Sequence, residues 1–349
     1  MKQEIINIDN IWIRNEDTGV SIYDIDKDLY LFFENIIIDD SFKTSKQVYD
    51  YLIKNNKTPS IPKNYYAPVR INYLVTNICN LNCIYCFADN KMSDELIHTD
   101  LSIIDKILSY NPLSIALSGG EPMLSRQLCD IVNKASGKVA ILIDTNGTIP
   151  FTNELIASIK KAKALVRISL DAADSETNGL TRPTKNNEIF DITNIINNIK
   201  LLLDNDVPVN IHTVVTKLNQ AHLEELCRLL IDLGINRLHL YGVIKNGKAR
   251  NIYEEIVVGK EELLELENKL QKQFPSLNIT ATPGLDSKSV APSLMVDYSG
   301  KFFVEEWDND PEYIGENPNN PSKEEICNKL NIANHLEAYY SLAIKHKDI

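Results

Sequence analysis

The chain has 349 residues, enough for one large core with one or two small accessory units. Apolar residues make up 44% and charged residues 24%, and no apolar run reaches about 18 residues, so neither a fibrous nor a membrane-spanning protein is expected. A net charge of −12 argues against a nucleic-acid-binding surface.

The N-terminus lacks the basic and apolar segments of a signal peptide. Of six cysteines, three are clustered and Cys129, Cys227 and Cys327 are scattered, which suits a reducing compartment better than a disulfide framework. The expected location is the cytoplasm.

The first 65 residues carry two short strand patterns, Ile11 to Arg14 and Val20 to Tyr23, across the turn-prone stretch Asn15 to Gly19. A more helical run follows from Leu29 to Ile38. A second helix, opening at Thr44 or Ser45, places Val48, Leu52 and Ile53 toward one face. A hairpin followed by helices is the order of a small winged-helix unit. Pro59, Pro62 and Pro68 then disfavour helix and mark a linker.

From about residue 66 to 250, strand patterns alternate with helical ones. The strands are Ile71 to Thr76, Ser114 to Leu117, Val139 to Ile143, Val166 to Leu170, Val209 to Val215 and Arg237 to Tyr241. Asp191 to Leu203 and Leu223 to Leu233 are the clearest helices between them. Repeated βα units imply parallel strands with helical crossovers, and their polar ends are where a site is expected.

The first strand runs into Cys79-Asn-Leu-Asn-Cys83-Ile-Tyr-Cys86, three thiols spaced C-x3-C-x2-C. A structural zinc site closes with four N or S ligands, yet the next candidates are His98 and Cys129. Three cysteines can instead hold an iron-sulfur cube with one iron open. Taken alone, the cluster also suits a redox motif or an incomplete zinc site.

This stretch resembles the radical S-adenosylmethionine (SAM) superfamily, whose C-x3-C-x2-C loop has an aromatic before the third cysteine, as Tyr85 is here. The resemblance implies a partial (β/α)6 barrel, one 4Fe-4S cluster on Cys79, Cys83 and Cys86, and SAM cleaved to a 5′-deoxyadenosyl radical that abstracts a substrate hydrogen. It implies cofactor contacts from Tyr85 in the loop, Gly119, Gly120 and Glu121 after the second strand, Asn146 after the third, Ser169 and Asp171 after the fourth, and Arg182 on the SAM carboxylate. Taken singly, Gly-Gly, Asn-Gly and Ser-x-Asp read as turns and a helix cap. It further implies a flavodoxin- or ferredoxin-type electron donor. His212 and His239 fall inside strand patterns and read as core or pore-lining groups.

The N-terminal order resembles the precursor-recognition domains of peptide-modifying radical enzymes, where a leader peptide adds a strand to a sheet edge. Beyond residue 250 come a charged amphipathic helix, Lys260 to Gln273, and a hairpin from Leu294 to Val304 with a Ser-Gly turn. That α+β extension resembles the cluster-binding extensions of peptide maturases. Glu305 and Glu306 stand where their cysteine is expected and Cys327 is alone, so no auxiliary cluster is expected. Cys327 reads as a structural cysteine, with hydrogen-atom donation as the alternative.

The expected function is a radical SAM maturase of a ribosomally made precursor peptide. The divisions are 1–65 for the possible recognition unit, 66–250 for the barrel and 251–349 for the extension. The alternatives are a radical SAM enzyme acting on a protein residue or a small molecule, and a non-catalytic metal-binding scaffold.

Overall fold

The structure is a computed structural model that describes residues 5–64, 67–88, 100–284, 290–306 and 308–345. His98 lies outside the described residues. Four antiparallel strands come first: β1 (Ile5–Ile8), β2 (Ile11–Glu16), β3 (Gly19–Asp24) and β4 (Leu29–Glu34), paired in that order. Helix α1 (Ser45–Lys54) follows with the expected cap, for Thr44 accepts from Gln47 N and the Gln47 side chain returns to Thr44 N.

Residues 29–34 are therefore a strand, and the winged-helix order expected from the sequence gives way to a β-meander followed by a helix. The physical reason is two-sided burial. Leu31 and Phe33 join Val48 and Leu52 of α1, while Tyr30 and Phe32 face the other way toward the barrel, so polar alternation is lost. Asp28 and Asn35, both with positive φ, punctuate the two ends.

The barrel strands are β5 (Arg70–Leu74), β6 (Ser114–Ser118), β7 (Ala140–Thr145), β8 (Leu165–Ser169), β9 (Val209–Val215) and β10 (Arg237–Gly242). All six expected strands are present and parallel in sequence order. Helices α2 (Ser102–Ser109), α3 (Leu128–Ala135), α4 (Asn153–Ala162), α5 (Ser175–Thr181), α6 (Thr193–Asp204) and α7 (Leu223–Asp232) lie between them. Outward strand residues such as Ile115, Ile141 and Val166 share one core with these helices.

The parallel sheet is wider than six strands. After the short α8 (Tyr253–Ile256) and the charged α9 (Lys260–Gln273), β11 (Asn278–Thr282) pairs in parallel with β10. At the opposite edge β12 (Val290–Val296) pairs in parallel with β5. Strand β12 forms the expected hairpin with β13 (Phe302–Glu306), turning at Gly300 with φ 86°, and β14 (Glu312–Tyr313) adds antiparallel to β13. Helices α10 (Lys323–Lys329) and α11 (Ile332–Lys345) end the described chain. Among the described residues no helix is long and apolar enough to cross a membrane.

The N-terminal sheet closes the barrel at the end opposite the site. Trp12, Tyr23, Tyr30 and Phe32 are buried with Ala116, Leu142 and Leu165 of the barrel and with Leu336, Tyr339 and Tyr340 of α11. Polar ties reinforce the seam. Arg14 pairs with Glu16 at 2.7 Å and donates to the carbonyls of Pro68 and Asn111, and Tyr30 meets Ser114 at 2.6 Å between hydroxyls.

Burial of each large apolar side chain contributes roughly 1.5–3 kcal/mol. Four of them together rival the about 5–15 kcal/mol of a whole domain. Removing residues 1–64 is therefore expected to give a chain that no longer unfolds cooperatively in a thermal melt. A soluble 65–349 fragment with a sharp melt would contradict this packing.

Candidate active site

Strand β5 delivers the chain into the cysteine loop, and that loop is held from both ends by glycine. Gly120 N donates to Thr76 O at 3.1 Å and Glu121 N to Ile78 O at 2.8 Å, so the end of β6 and the start of the loop lie backbone to backbone. A Cβ on Gly120 would stand 2.0 Å from Ile78 O, and one on Gly119 would stand 2.6 Å from Thr76 O. At the far end Lys248 N donates to Cys86 O at 3.0 Å, and a Cβ on Gly247 would stand 2.1 Å from that same oxygen. The close approach at Gly119 and Gly120 lets the end of β6 pack backbone to backbone against the loop.

The middle of the loop is fastened to the segment after α5. Asn82 N donates to Pro183 O at 2.7 Å and Ile84 N to Thr181 O at 3.0 Å. Tyr85 donates its hydroxyl to Asp171 Oδ2 at 2.5 Å, and Thr181 donates to the same oxygen at 2.7 Å. Val214 N donates to the other oxygen of Asp171 at 3.1 Å. Asp171 is thus buried and fully engaged with protein groups. Burial raises its carboxyl above the usual range, and Arg182 opposes that rise.

Glu121 is fully buried and equally occupied. One oxygen accepts from Met123 N at 3.0 Å and from the Thr145 hydroxyl at 2.6 Å, and the other from Asn146 N at 2.7 Å. These bonds tie the end of β6 to the end of β7. Burial raises its pKa, with the three hydrogen bonds pulling it back.

Asn146 is the node between these ties. Its Nδ2 donates to Asn80 at 2.8 Å and lies 3.9 Å from Cys79 Sγ, while its carbonyl accepts from Arg182 Nη2 at 3.4 Å. Ser169 at the end of β8 is half-buried, and its hydroxyl has no hydrogen-bond partner among the described residues. Arg182 is 2% exposed, and its Nε has no partner among the described residues. Burial works against its charge, but Tyr85, Cys83 and Asp171 more than offset this and hold it cationic.

Cys79, Cys83 and Cys86 are free thiols. Burial pushes Cys83 up to about 11, with Arg182 pulling the other way. Among the described residues no three His, Cys, Asp or Glu side chains form a group placed to hold a metal ion. The surroundings nonetheless fit an anionic cluster with a polar ligand beside it. Three thiols share a pinned loop, and a buried guanidinium with an orphaned Nε lies within electrostatic reach of Cys79 and Cys83. The remaining cysteines are distributed over three helices, Cys129 on α3, Cys227 on α7 and Cys327 on α10. Glu305 is buried and accepts from Asn246 at 2.7 Å.

Sequence reasoning missed Thr145, Thr181, Gly247 and Asn178, whose Oδ1 accepts from Asp171 N at 3.0 Å. Of these only Gly247 carried a readable signal, the turn pair Asn246-Gly247, which marked the end of the barrel and not a contact.

The fold and rim define an open parallel α/β barrel with a three-thiol loop at the C-terminal ends of its strands. Residues 73–230 match the Radical SAM superfamily model. An uncharacterized protein of Methanocaldococcus jannaschii is 34% identical over 56% of this chain and 69% of its own length. A probable GTP 3′,8-cyclase of Saccharolobus islandicus is 28% identical over 57% of this chain, and the match spans 63% of that relative. The structure of Streptococcus suis SuiB bound to the precursor peptide SuiA matches with a TM-score of 0.60 at 14% identity, over 85% of this chain and 82% of that one.

The chain belongs to the radical SAM superfamily, whose enzymes cleave SAM with a 4Fe-4S cluster.

Proposed function

We propose that Cys79, Cys83 and Cys86 ligate one 4Fe-4S cluster and that the protein removes a hydrogen atom from a ribosomally made peptide. The carrying observation is that the cysteine loop and Arg182 are joined by direct hydrogen bonds through Asn146, with Ser169 at the end of β8 on the same rim. When bound, cluster and SAM supply a 5′-deoxyadenosyl radical, with the electron delivered by a flavodoxin- or ferredoxin-type donor. This chain's residues bind and orient. The Arg182 guanidinium receives the SAM carboxylate, for which its fork geometry is suited, and Ser169 offers its hydroxyl to a polar group of SAM. Glu121, Asp171 and Tyr85 act as positioning residues: they fix where the loop and Asn146 stand.

Two features support the peptide. The likeness to SuiB, whose structure holds a precursor peptide, covers 85% of this chain. Strand β1 is an edge strand of the N-terminal sheet, a place where a leader can add through main-chain bonds.

One observation favours a small molecule instead. Inside the barrel lies a cavity of about 410 Å³, within the range of small-ligand sites.

Anaerobic incubation of the reconstituted protein with SAM and dithionite, supplemented with fractions of source-cell extract, separates these readings. A fraction that raises 5′-deoxyadenosine above the substrate-free level and loses this effect after protease digestion supports the peptide. A protease-resistant effect transfers the reading to a small molecule. Protein that holds its irons and forms no 5′-deoxyadenosine under any condition is a scaffold.

A further inference from the structure

The barrel cavity has a sign opposite to that of the chain. The protein carries a net charge of −12, yet Lys27, Arg70, Arg167 and Arg237 line the cavity with Asp28 as the one carboxylate among its lining residues. Asp28 does not neutralise them by contact, because its oxygens accept from the neutral groups Tyr23 and Asn210 at 2.8 and 3.0 Å. Arg167 is committed to Asp144, in a bidentate pair at 2.5 and 2.7 Å. Arg237 donates to Asp26 O at 2.9 Å.

Arg70 is different. Its Nε donates to the Tyr339 hydroxyl at 3.3 Å and the guanidinium lies 4.8 Å from the centre of that ring, so the side chain is held in place. Its two Nη atoms have no hydrogen-bond partner, and no carboxylate pairs with it, among the described residues. Tyr241 and His212 face the same cavity, their rings 5.2 Å apart, and neither side chain has a hydrogen-bond partner among the described residues. His239 beside them is the contrast, since both its nitrogens are taken by Thr280 and Thr282 at 2.6 and 2.9 Å. A largely enclosed guanidinium fork, a phenol and an imidazole left open to one space form a recognition set for an anion.

The cavity connects the two ends of the barrel: Arg70 opens β5 at the end closed by the N-terminal sheet, and the lining runs on from there toward the rim. His212 stands opposite Ser169 in the β8–β9 register, and Ser169 is on the rim that carries the cysteine loop. The cavity continues along the inside of β9 to β11 and reaches Gly242, Thr282 and Pro283 at the rim.

We infer that the barrel cavity binds an anionic group of the substrate, a carboxylate or phosphate, through the free fork of Arg70 with Tyr241 and His212 completing its hydrogen bonds. This rests on the reading above that the substrate occupies the barrel. It assigns specificity without requiring that the anion be the reacting group. An acidic side chain of a peptide and a small organic acid share the chemistry.

The test is thermal unfolding of the reconstituted protein titrated separately with glutarate, the tripeptide Gly-Glu-Gly and inorganic phosphate. At least one is expected to raise Tm saturably, and Arg70→Gln to weaken that binding about tenfold or more, the loss typical of one charged hydrogen-bonding partner. Tyr241→Phe keeps the ring and removes one donor, so it serves if Arg70→Gln fails to fold. It is expected to weaken binding by a smaller factor. Glutarate and phosphate distinguish the two anions; Gly-Glu-Gly binding more tightly than glutarate points to a peptide source. No saturable shift with any probe, or equal affinities in wild type and both variants, overturns the inference. Wild type that forms 5′-deoxyadenosine but shows no shift refutes this proposal alone. A shift without 5′-deoxyadenosine refutes the proposed reaction alone.

Discussion

Cys83→Ala protein, reconstituted anaerobically, is expected to hold no 4Fe-4S cluster and to form no 5′-deoxyadenosine, while melting as cooperatively as cluster-free wild type. The two halves of that result have separate causes. With one iron left open, each of the three thiolates holds one of the other corners, and losing one leaves no spare ligand, since Cys129, Cys227 and Cys327 sit on distant helices. The loop, however, does not depend on its thiols for its path. Its backbone is fixed by Asn82 on Pro183, Ile84 on Thr181, Glu121 on Ile78 and Lys248 on Cys86, and Tyr85 anchors it to Asp171. Iron and sulfide content should read about four per chain in wild type and near zero in the variant. A variant that keeps its iron would remove Cys83 from the ligand set. About eight irons in wild type, shown by Mössbauer spectroscopy to sit in cubanes, would reveal a second cluster on ligands outside the three thiols.

Much of the barrel was legible because its strands are apolar runs bounded by turns, and because the motif residues fall at strand ends. Strand β11 escaped for a physical reason. It turns Asn278, Thr280 and Thr282 to the polar cavity, leaving only Ile279 and Ala281 outward, so five residues of mixed character resemble a loop. The hairpin of β12 and β13 was visible in Asp297 to Gly300, but its parallel pairing with β5 joins residues more than two hundred positions apart and leaves no local trace.

The site shows the same division. Residue types told where polar groups gather, and they did not tell which groups face a ligand. Glu121 and Asp171 carry the charge that suggested ligand contact, and both also accept from protein groups: Glu121 from Thr145 and Asn146 at the end of β7, Asp171 from Tyr85 of the loop, Thr181 of α5 and Val214 of β9. Arg70 drew no attention because a basic residue at a strand start reads as a solvated end. Only the closure of that end by the N-terminal sheet and α11 turns it into an enclosed cation.

Gly120→Ala carries the second large expectation, a fall of about a hundredfold in 5′-deoxyadenosine formation with the barrel still folded. The added methyl would lie 2.0 Å from Ile78 O, 2.3 Å from Ile78 C and 2.9 Å from Cys79 N, all backbone atoms. No side-chain rotation relieves such a contact. Either the end of β6 or the cysteine loop must move by on the order of 1 Å, a misplacement of the size that costs reacting groups about two orders of magnitude. The loop is the part that yields, because Glu121 next to Gly120 is locked to Thr145 and Asn146, whereas the loop meets the end of β6 through the bonds at Thr76 and Ile78. Gly247→Ala presses on the other end of the loop, 2.1 Å from Cys86 O, and at a φ of 52° adds backbone strain. Iron content and 5′-deoxyadenosine should therefore fall together in both variants, with the thermal melt little changed. Wild-type turnover in Gly120→Ala would mean that the path of the cysteine loop is not what sets the chemistry.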